Sequence, residues 1–296
     1  MPPKKSPITS LVQPAKTRRF TDRLLRRPMA LEIKRLLAVG AHPDDVEIMC
    51  SGTLFALHQL GHEVHVASLT LGDCGSVEFS AEEIRGIRHR EAMRACDVLD
   101  ATYHQAGFDD LCIFNDDNSN RRVTSLLRDV DPWMVITHSP NDYMSDHEMT
   151  SLLVRNACFY ASIPNYETKA GAAGCTLTRP YLYYAPPMEG IDIFGKKVTP
   201  QFYVDISGVM QQKLEMLACH ESQRNWLRAQ HGMDEYIESV RHFNTSLGQR
   251  ASELSGRLIT YAEAFRQHRG HAYPNDNVIA TLLRESVIAE PAYSVA

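Results

Sequence analysis

Between residues 34 and 137, short apolar runs alternate with segments of helical spacing, and few folds accommodate that alternation. Residues 34–40, 64–71, 103–106 and 133–137 read as strands. The first carries Leu36, Leu37, Ala38 and Val39 without a polar break, as a strand covered on both faces does. Between the strands, Leu54, Phe55, Leu57 and Leu60 recur at helical spacing, and Gly61 stops that helix. Ser80 and Glu83 have the form of a capping box and open a second helix that runs to about Leu99. Residues 119–130 make a third, ended before Asp131 and Pro132. The alternation implies an α/β fold: a doubly wound, mostly parallel sheet with helices on both faces. Ligands of such sheets gather beyond the carboxyl ends of the strands.

The second half is less regular. Residues 161–180, rich in Gly, Ala and Thr, read as a loop or lid. Tyr181–Ala185 and Gln201–Ile206 read as strands, and helices are expected over 207–228, 233–243 and 245–267. This gives a basic N-terminal arm over 1–30, one domain over 31–270 and a C-terminal tail over 271–296. The arm holds Lys4, Lys5, Lys16, Arg18, Arg19, Arg23, Arg26 and Arg27 against one acid, Asp22, and reads as a surface-draped segment. The net charge of −5 leaves no basic excess for nucleic acid. There is no run of 18 apolar residues and no signal-peptide pattern, so the expectation is a cytoplasmic protein without a membrane span. The seven cysteines are dispersed with no Cys-x-x-Cys pair, which argues against a disulfide framework or a cysteine zinc site.

Two strands end in polar clusters. The first is His42, Pro43, Asp44 and Asp45; the second runs from His138 to His147. Carboxylates are almost never buried unpaired, and no core needs these residues together, whereas a divalent metal does. Pro43 keeps His42 extended, and a turn after it brings His42 and Asp45 to one centre with Asp44 beside it. His147 is the third candidate ligand. Ser145 and Glu148 have capping-box spacing, which puts His147 in the first turn of a helix. Two histidines, a carboxylate and an open position form the pattern of catalytic zinc, and Asp44 is the candidate base for the water it activates.

These residues resemble those of the LmbE-like, or PIG-L, superfamily of zinc-dependent N-deacetylases, which includes the N-acetylglucosaminyl-phosphatidylinositol de-N-acetylases. The resemblance begins at Ala41–Asp45 and continues through 46–54 (VEIMCSGTL), 70–75 (TLGDCG), Arg88–Glu91, Asp110 and Asp142–His147. It returns at Lys213, His220–Gln223 and Tyr261–Phe265, so it spans about residues 34–267 in order. It implies a Rossmann-like fold with the metal site at the strand ends, Zn2+ on His42, Asp45 and His147, and Asp44 as general base. Arg88 and Asp110 resemble sugar-holding positions, and Tyr143 joins them as a substrate-facing candidate. Read as bare residues, Asp110 equally caps a turn, Arg88 and Glu91 have the spacing of a helix salt bridge, and Asp146 stands behind a ligand or starts the helix. His220 suits a structural role and a site role equally.

One departure matters. The family's second motif has a histidine where this chain has Met144. A thioether donates no proton, so His138, Tyr143 or His220 must substitute, or the site holds metal with weakened hydrolysis. The function expected is removal of acetyl from an N-acetylated amino sugar, or a conjugate of one, by metal-activated water. The alternative is a metal-binding glycan-recognition or scaffold protein. The resemblance also implies self-association as a trimer or hexamer.

Overall fold

The computed structural model describes residues 32–168, 174–176, 178–231 and 235–293. The basic arm and part of the 161–180 loop lie outside them. Strand β1 (Arg35–Gly40) leads through helices α1 (Asp45–Met49) and α2 (Ser51–His58) to β2 (Glu63–Thr70). Helix α3 (Ala81–Leu99), β3 (Thr102–Phe108), α4 (Asp117–Val130), β4 (Met134–Thr137) and α5 (Ser145–Tyr160) follow. Then come β5 (Tyr181–Tyr184), β6 (Phe202–Asp205), α6 (Met210–Ala218), α7 (Glu221–His231) and α8 (Glu235–Ser255). Strand β7 (Ala262–Gln267), α9 (Val278–Leu283) and β8 (Val287–Ala289) end the described chain.

The strands form one sheet in the order β3-β2-β1-β4-β5-β7-β6-β8. The first five are mutually parallel, as the strand–helix alternation predicts, and β7, β6 and β8 add antiparallel. Alternate residues of β1 face opposite cores. Leu36 and Ala38 pack with α2 and α3 residues such as Leu54 and Leu99, whereas Leu37 and Val39 pack with Leu127 of α4 and Leu153 of α5. Burial on both faces is why the strand has no polar alternation. Strand β1 pairs with β2 on one side and β4 on the other, so the connections diverge between β1 and β4. That divergence opens a crevice at their carboxyl ends, where both polar clusters emerge.

Three expectations change. The predicted helix over 207–228 is two helices, with His220 at the break between α6 and α7. The two helices expected over 233–267 become one, α8, and residues 262–267 form β7. Alanine-rich AEAFRQ reads as helix by composition, yet it lies between two strands with Ala262, Ala264 and Phe265 buried, so tertiary pairing overrides propensity. The tail expected after 270 supplies α9 and the edge strand β8. The described part of the 161–180 segment, expected as a loop or lid, is irregular and meets α4, where Arg128 donates to the carbonyls of Ala161 and Ile163.

The C-terminal half is bolted to the first helices by a buried ion pair. Lys213 of α6 is 0% exposed and lies 2.6 Å from Glu263 of β7. Lys213 Nζ also donates to the Ile48 carbonyl at 2.8 Å. Glu263 in turn accepts from the Gly52 and Thr53 amides and the Thr53 hydroxyl, satisfying donors that α2 leaves open at its N-terminus. Removing one member strands a charge in the core. Lys213→Met is expected to destabilise the fold by about 3–5 kcal/mol, read from the urea midpoint at constant slope; a shift corresponding to under about 1 kcal/mol would show that the pair does not brace the core.

Candidate metal centre

The centre is built by a chain reversal at the end of β1. The Asp45 amide donates to the His42 carbonyl at 3.3 Å, and Asp45 Oδ2 accepts from the His42 amide at 2.6 Å. A Cβ on Gly40 would lie 2.6 Å from Asp45 Cβ, so only glycine lets the turn fold back this tightly. Asp44 takes the strain: its φ of 121° is unusual for any residue but glycine. With that twist the adjacent carboxylates face different neighbours. Asp45 meets His147 Nε2 at 3.5 Å and His42 Nδ1 at 3.3 Å. Asp44 meets Arg88 at 3.1 Å and the Tyr236 hydroxyl at 2.7 Å, both through Oδ2.

The donor set fits a divalent cation. Ligand atoms of His42, Asp45 and His147 lie within 4.8 Å of one another, and all three residues are buried. Each imidazole has a carboxylate behind it. His42 Nε2 is 3.3 Å from Asp146, and His147 Nδ1 is 2.9 Å from Asp142. Such partners orient the rings, leaving His42 Nδ1 and His147 Nε2 directed toward Asp45 as the candidate coordinating nitrogens. Asp146 therefore stands behind a ligand, one of the two roles open to it from the sequence.

Helix α5 carries His147 in its first turn, but not by the predicted capping box. Met144 is the N-cap, without a side-chain cap bond, and Glu148 instead accepts from the Asp142 amide at 3.1 Å. The Ser80–Glu83 capping box on α3 does form, and it starts the helix that brings Arg88 to the site. Arg88 does not pair with Glu91. It reaches Asp44 and the Pro43 carbonyl, while Glu91 accepts from the amide and hydroxyl of Ser222. A Cβ on Gly72 (φ 72°) would come within 2.9 Å of three Arg88 side-chain atoms, so the loop is shaped around that guanidinium. Asp110 accepts from the Gly72 and Cys74 amides, holding the same loop while also lining the cavity. Tyr143 is 65% exposed and stands edge-on to His147, with ring centroids 5.4 Å apart. His220 lies behind α1, 3.0 Å from Glu47.

The electrostatics separate the carboxylates. Burial and the neighbouring charge of Asp45 raise Asp44 above the ordinary range, against Arg88, His220 and the Tyr236 hydrogen bond. Burial also opposes ionisation of Asp45, but His147 and His138 overcome it and hold that carboxyl well below its usual value. Burial disfavours the charged imidazoles too, yet the carboxylates beside them prevail and lift His42 to about 9 and His147 to about 10. A carboxyl with a raised pKa beside a firmly ionised one is the division that a base and a ligand of a hydrolytic metal site would need.

Two contributors escape a sequence reading. Tyr236 is 192 positions from Asp44 and no local pattern marks it. Asp142 carries a recognisable signal, a carboxylate five residues before a ligand histidine.

The chain matches the family described as GlcNAc-PI de-N-acetylase, PIG-L, over residues 37–158. That stretch contains His42, Asp44, Asp45, Arg88, Asp110, Tyr143 and His147. Among relatives, the diacetylchitobiose deacetylase of Thermococcus kodakarensis is 28% identical over 200 residues, 65% of this chain and 71% of that protein. The 4-oxalmesaconate hydratase of Pseudomonas putida is 25% identical over 250 residues, 81% of this chain and 92% of its own. In structure, the N,N'-diacetylchitobiose deacetylase of Pyrococcus horikoshii superposes with a TM-score of 0.67 at 22% identity, covering 82% of this chain and 88% of the other. It shares the fold. Lys213, His220, Tyr236 and Glu263 lie outside the PIG-L segment, yet they brace or complete its site.

Two measurements test the centre. Asp142→Ala is expected to weaken zinc binding about 10- to 100-fold in competition with a chromogenic chelator, and unchanged affinity would remove Asp142 from the support of His147. Because His42 and His147 titrate near 9 and 10, zinc must displace protons from both at neutral pH. Affinity should therefore rise with pH by about 100-fold per unit up to about pH 9, the mark of two released protons, and a flat profile would refute the ligand assignment.

Proposed function

We propose that the protein is a zinc-dependent N-deacetylase that removes acetyl from an N-acetylated amino sugar or a conjugate of one. The observation that carries this reading is Asp44, a buried carboxylate adjacent to a three-ligand cluster but turned away from it. Support comes from the PIG-L segment and from relatives named as deacetylases of acetylated sugars.

His42, Asp45 and His147 would hold the ion, and the chemistry zinc supplies there is a positive charge that acidifies water and polarises an amide carbonyl. Asp44 accepts the proton of the attacking water. Arg88 and Tyr236 both grip its Oδ2, which fixes the carboxylate plane and leaves Oδ1 for the proton. As the carbon–nitrogen bond breaks, Asp44 returns that proton to the leaving nitrogen, giving acetate and a free amine. The raised pKa of Asp44 suits both transfers.

The substrate enters a cavity of about 1040 Å³, large for one monosaccharide and at the upper end of ordinary ligand sites. Ile48, Met49, Trp226, Leu227, Val240 and Phe243 give it an apolar wall, suited to the non-sugar part of a conjugate. Hydration of a carboxylate substrate, by analogy with the Pseudomonas putida relative, fits this cavity less well. Among the described lining residues the single guanidinium, Arg88, is already paired with Asp44, and no lysine is present to receive an anion.

The test is acetate release from a panel of N-acetylglucosaminides by the zinc-loaded protein. Asp44→Asn should retain about one zinc per chain yet lose about 100- to 10,000-fold in kcat. A wild type that releases no acetate from any of them would overturn the deacetylase reading. An Asp44→Asn variant as fast as wild type would overturn the base assignment.

A further inference from the structure

Met144 lines the cavity beside the ligand cluster but carries no hydrogen-bond donor. A carbonyl oxygen that develops negative charge is stabilised by a preorganised hydrogen-bond donor, and a thioether has no proton to offer. Four side chains near the cluster are weighed as its source, and the structure separates them. His138 is 3% exposed, its ring stacked at 4.1 Å on His147. Its Nε2 lies 3.0 Å from the Ala41 amide, which donates to it, and 3.1 Å from Asp45, so it is committed behind the ligands. His220 is fully buried against Glu47 and is not part of the cavity wall. The other nearby phenol, Tyr236, spends its proton on Asp44.

Tyr143 is placed differently. It adjoins Met144 in the chain, lines the cavity and is largely exposed to it. Its ring meets the His147 imidazole edge-on at an interplanar angle of 84°, which anchors the side chain at the ligand cluster. The neighbouring position 144 also lines the cavity, so a hydrogen bond lost there can be supplied from the next residue.

We propose that Tyr143 is a catalytic residue of this site, whose hydroxyl donates a hydrogen bond to the substrate amide oxygen in place of the histidine absent at position 144. The assignment rests on the amide-hydrolase reading above. Tyr143 keeps its proton throughout. Water oxygen bonds to the carbonyl carbon, its proton passes to Asp44, and the carbon–nitrogen bond then breaks as Asp44 protonates nitrogen. The phenol only stabilises the oxygen on which charge appears.

Tyr143→Phe keeps the ring against His147 and deletes only the donor. With zinc content confirmed, kcat should fall about 100-fold with KM within about 3-fold, because the contact strengthens only in the transition state. Met144→His in the Tyr143→Phe background should recover at least about 10-fold, since it puts a donor on the adjacent residue that lines the same cavity. A second readout needs no turnover. A methylphosphonamide of glucosamine presents a phosphoryl oxygen where the oxyanion forms, and by calorimetry Tyr143→Phe should bind it about 100-fold more weakly while binding glucosamine unchanged. Wild-type kcat and phosphonamide affinity in Tyr143→Phe would overturn the proposal, as would a double variant no faster than Tyr143→Phe alone. If the wild type releases no acetate, the deacetylase reading fails by itself, and phosphonamide titration still decides whether Tyr143 contacts a tetrahedral oxyanion.

Discussion

Two adjacent carboxylates buried at the end of one strand repel each other, and much of this structure exists to use them separately. The backbone of Asp44, forced to a φ of 121°, turns its carboxylate toward Arg88 and Tyr236 while Asp45 faces the imidazoles. A residue so placed costs on the order of 1–3 kcal/mol, and the surroundings must over-determine it. They do: Pro43 restricts the residue before it, Gly40 admits the fold-back, and Arg88 holds both the Pro43 carbonyl and the Asp44 side chain. The strained backbone keeps the two carboxylates on different neighbours, which the proposed division between base and ligand needs.

The support extends outward in layers that the second half of the chain supplies. Glu47 of α1 is paired with His220, at the break between α6 and α7. Glu263 of β7 satisfies the start of α2 and is neutralised by Lys213, which also grips the carbonyl of Ile48. The short helix after the ligand turn is thus clamped by α6 and by the antiparallel edge of the sheet. This accounts for a family resemblance that returns at 213–223 and 261–265, far from any ligand. Lys213, His220 and Glu263 brace the helices that follow His42 and Asp45 without joining the candidate ligand cluster.

What was legible in the sequence was whatever local spacing encodes. The β1 run, the capping box at Ser80 and Glu83, the placement of His147 in a first helical turn and the parallel half of the sheet follow from patterns within about twenty residues. Of the antiparallel half only β6 was legible, because AEAFRQ favours a helix and becomes β7 only when β5 and β6 flank it. Nor was the proton machinery. Arg88 at i and Glu91 at i+3 look like a surface pair, yet burial sends one to Asp44 and the other to Ser222. Tyr236 reaches Asp44 across nearly two hundred residues, a contact that only the tertiary fold creates.

The same distinction explains how position 144 tolerates methionine. The residue sits at the N-cap of α5, where a side-chain oxygen ordinarily satisfies an open amide. Here the start of the helix is organised from one turn earlier. Asp142 accepts from the Met144 amide at 3.4 Å and from His147 Nδ1 at 2.9 Å, while its own amide is taken by Glu148. One carboxylate therefore sets the chain's approach to the helix and the aim of the ligand together, with no help from the side chain at 144. Structure places little demand on that position, so the choice of residue there is governed by chemistry. Under the proposal for Tyr143, the donor that a thioether at 144 cannot supply comes from the adjacent phenol, on a loop whose geometry Asp142 fixes.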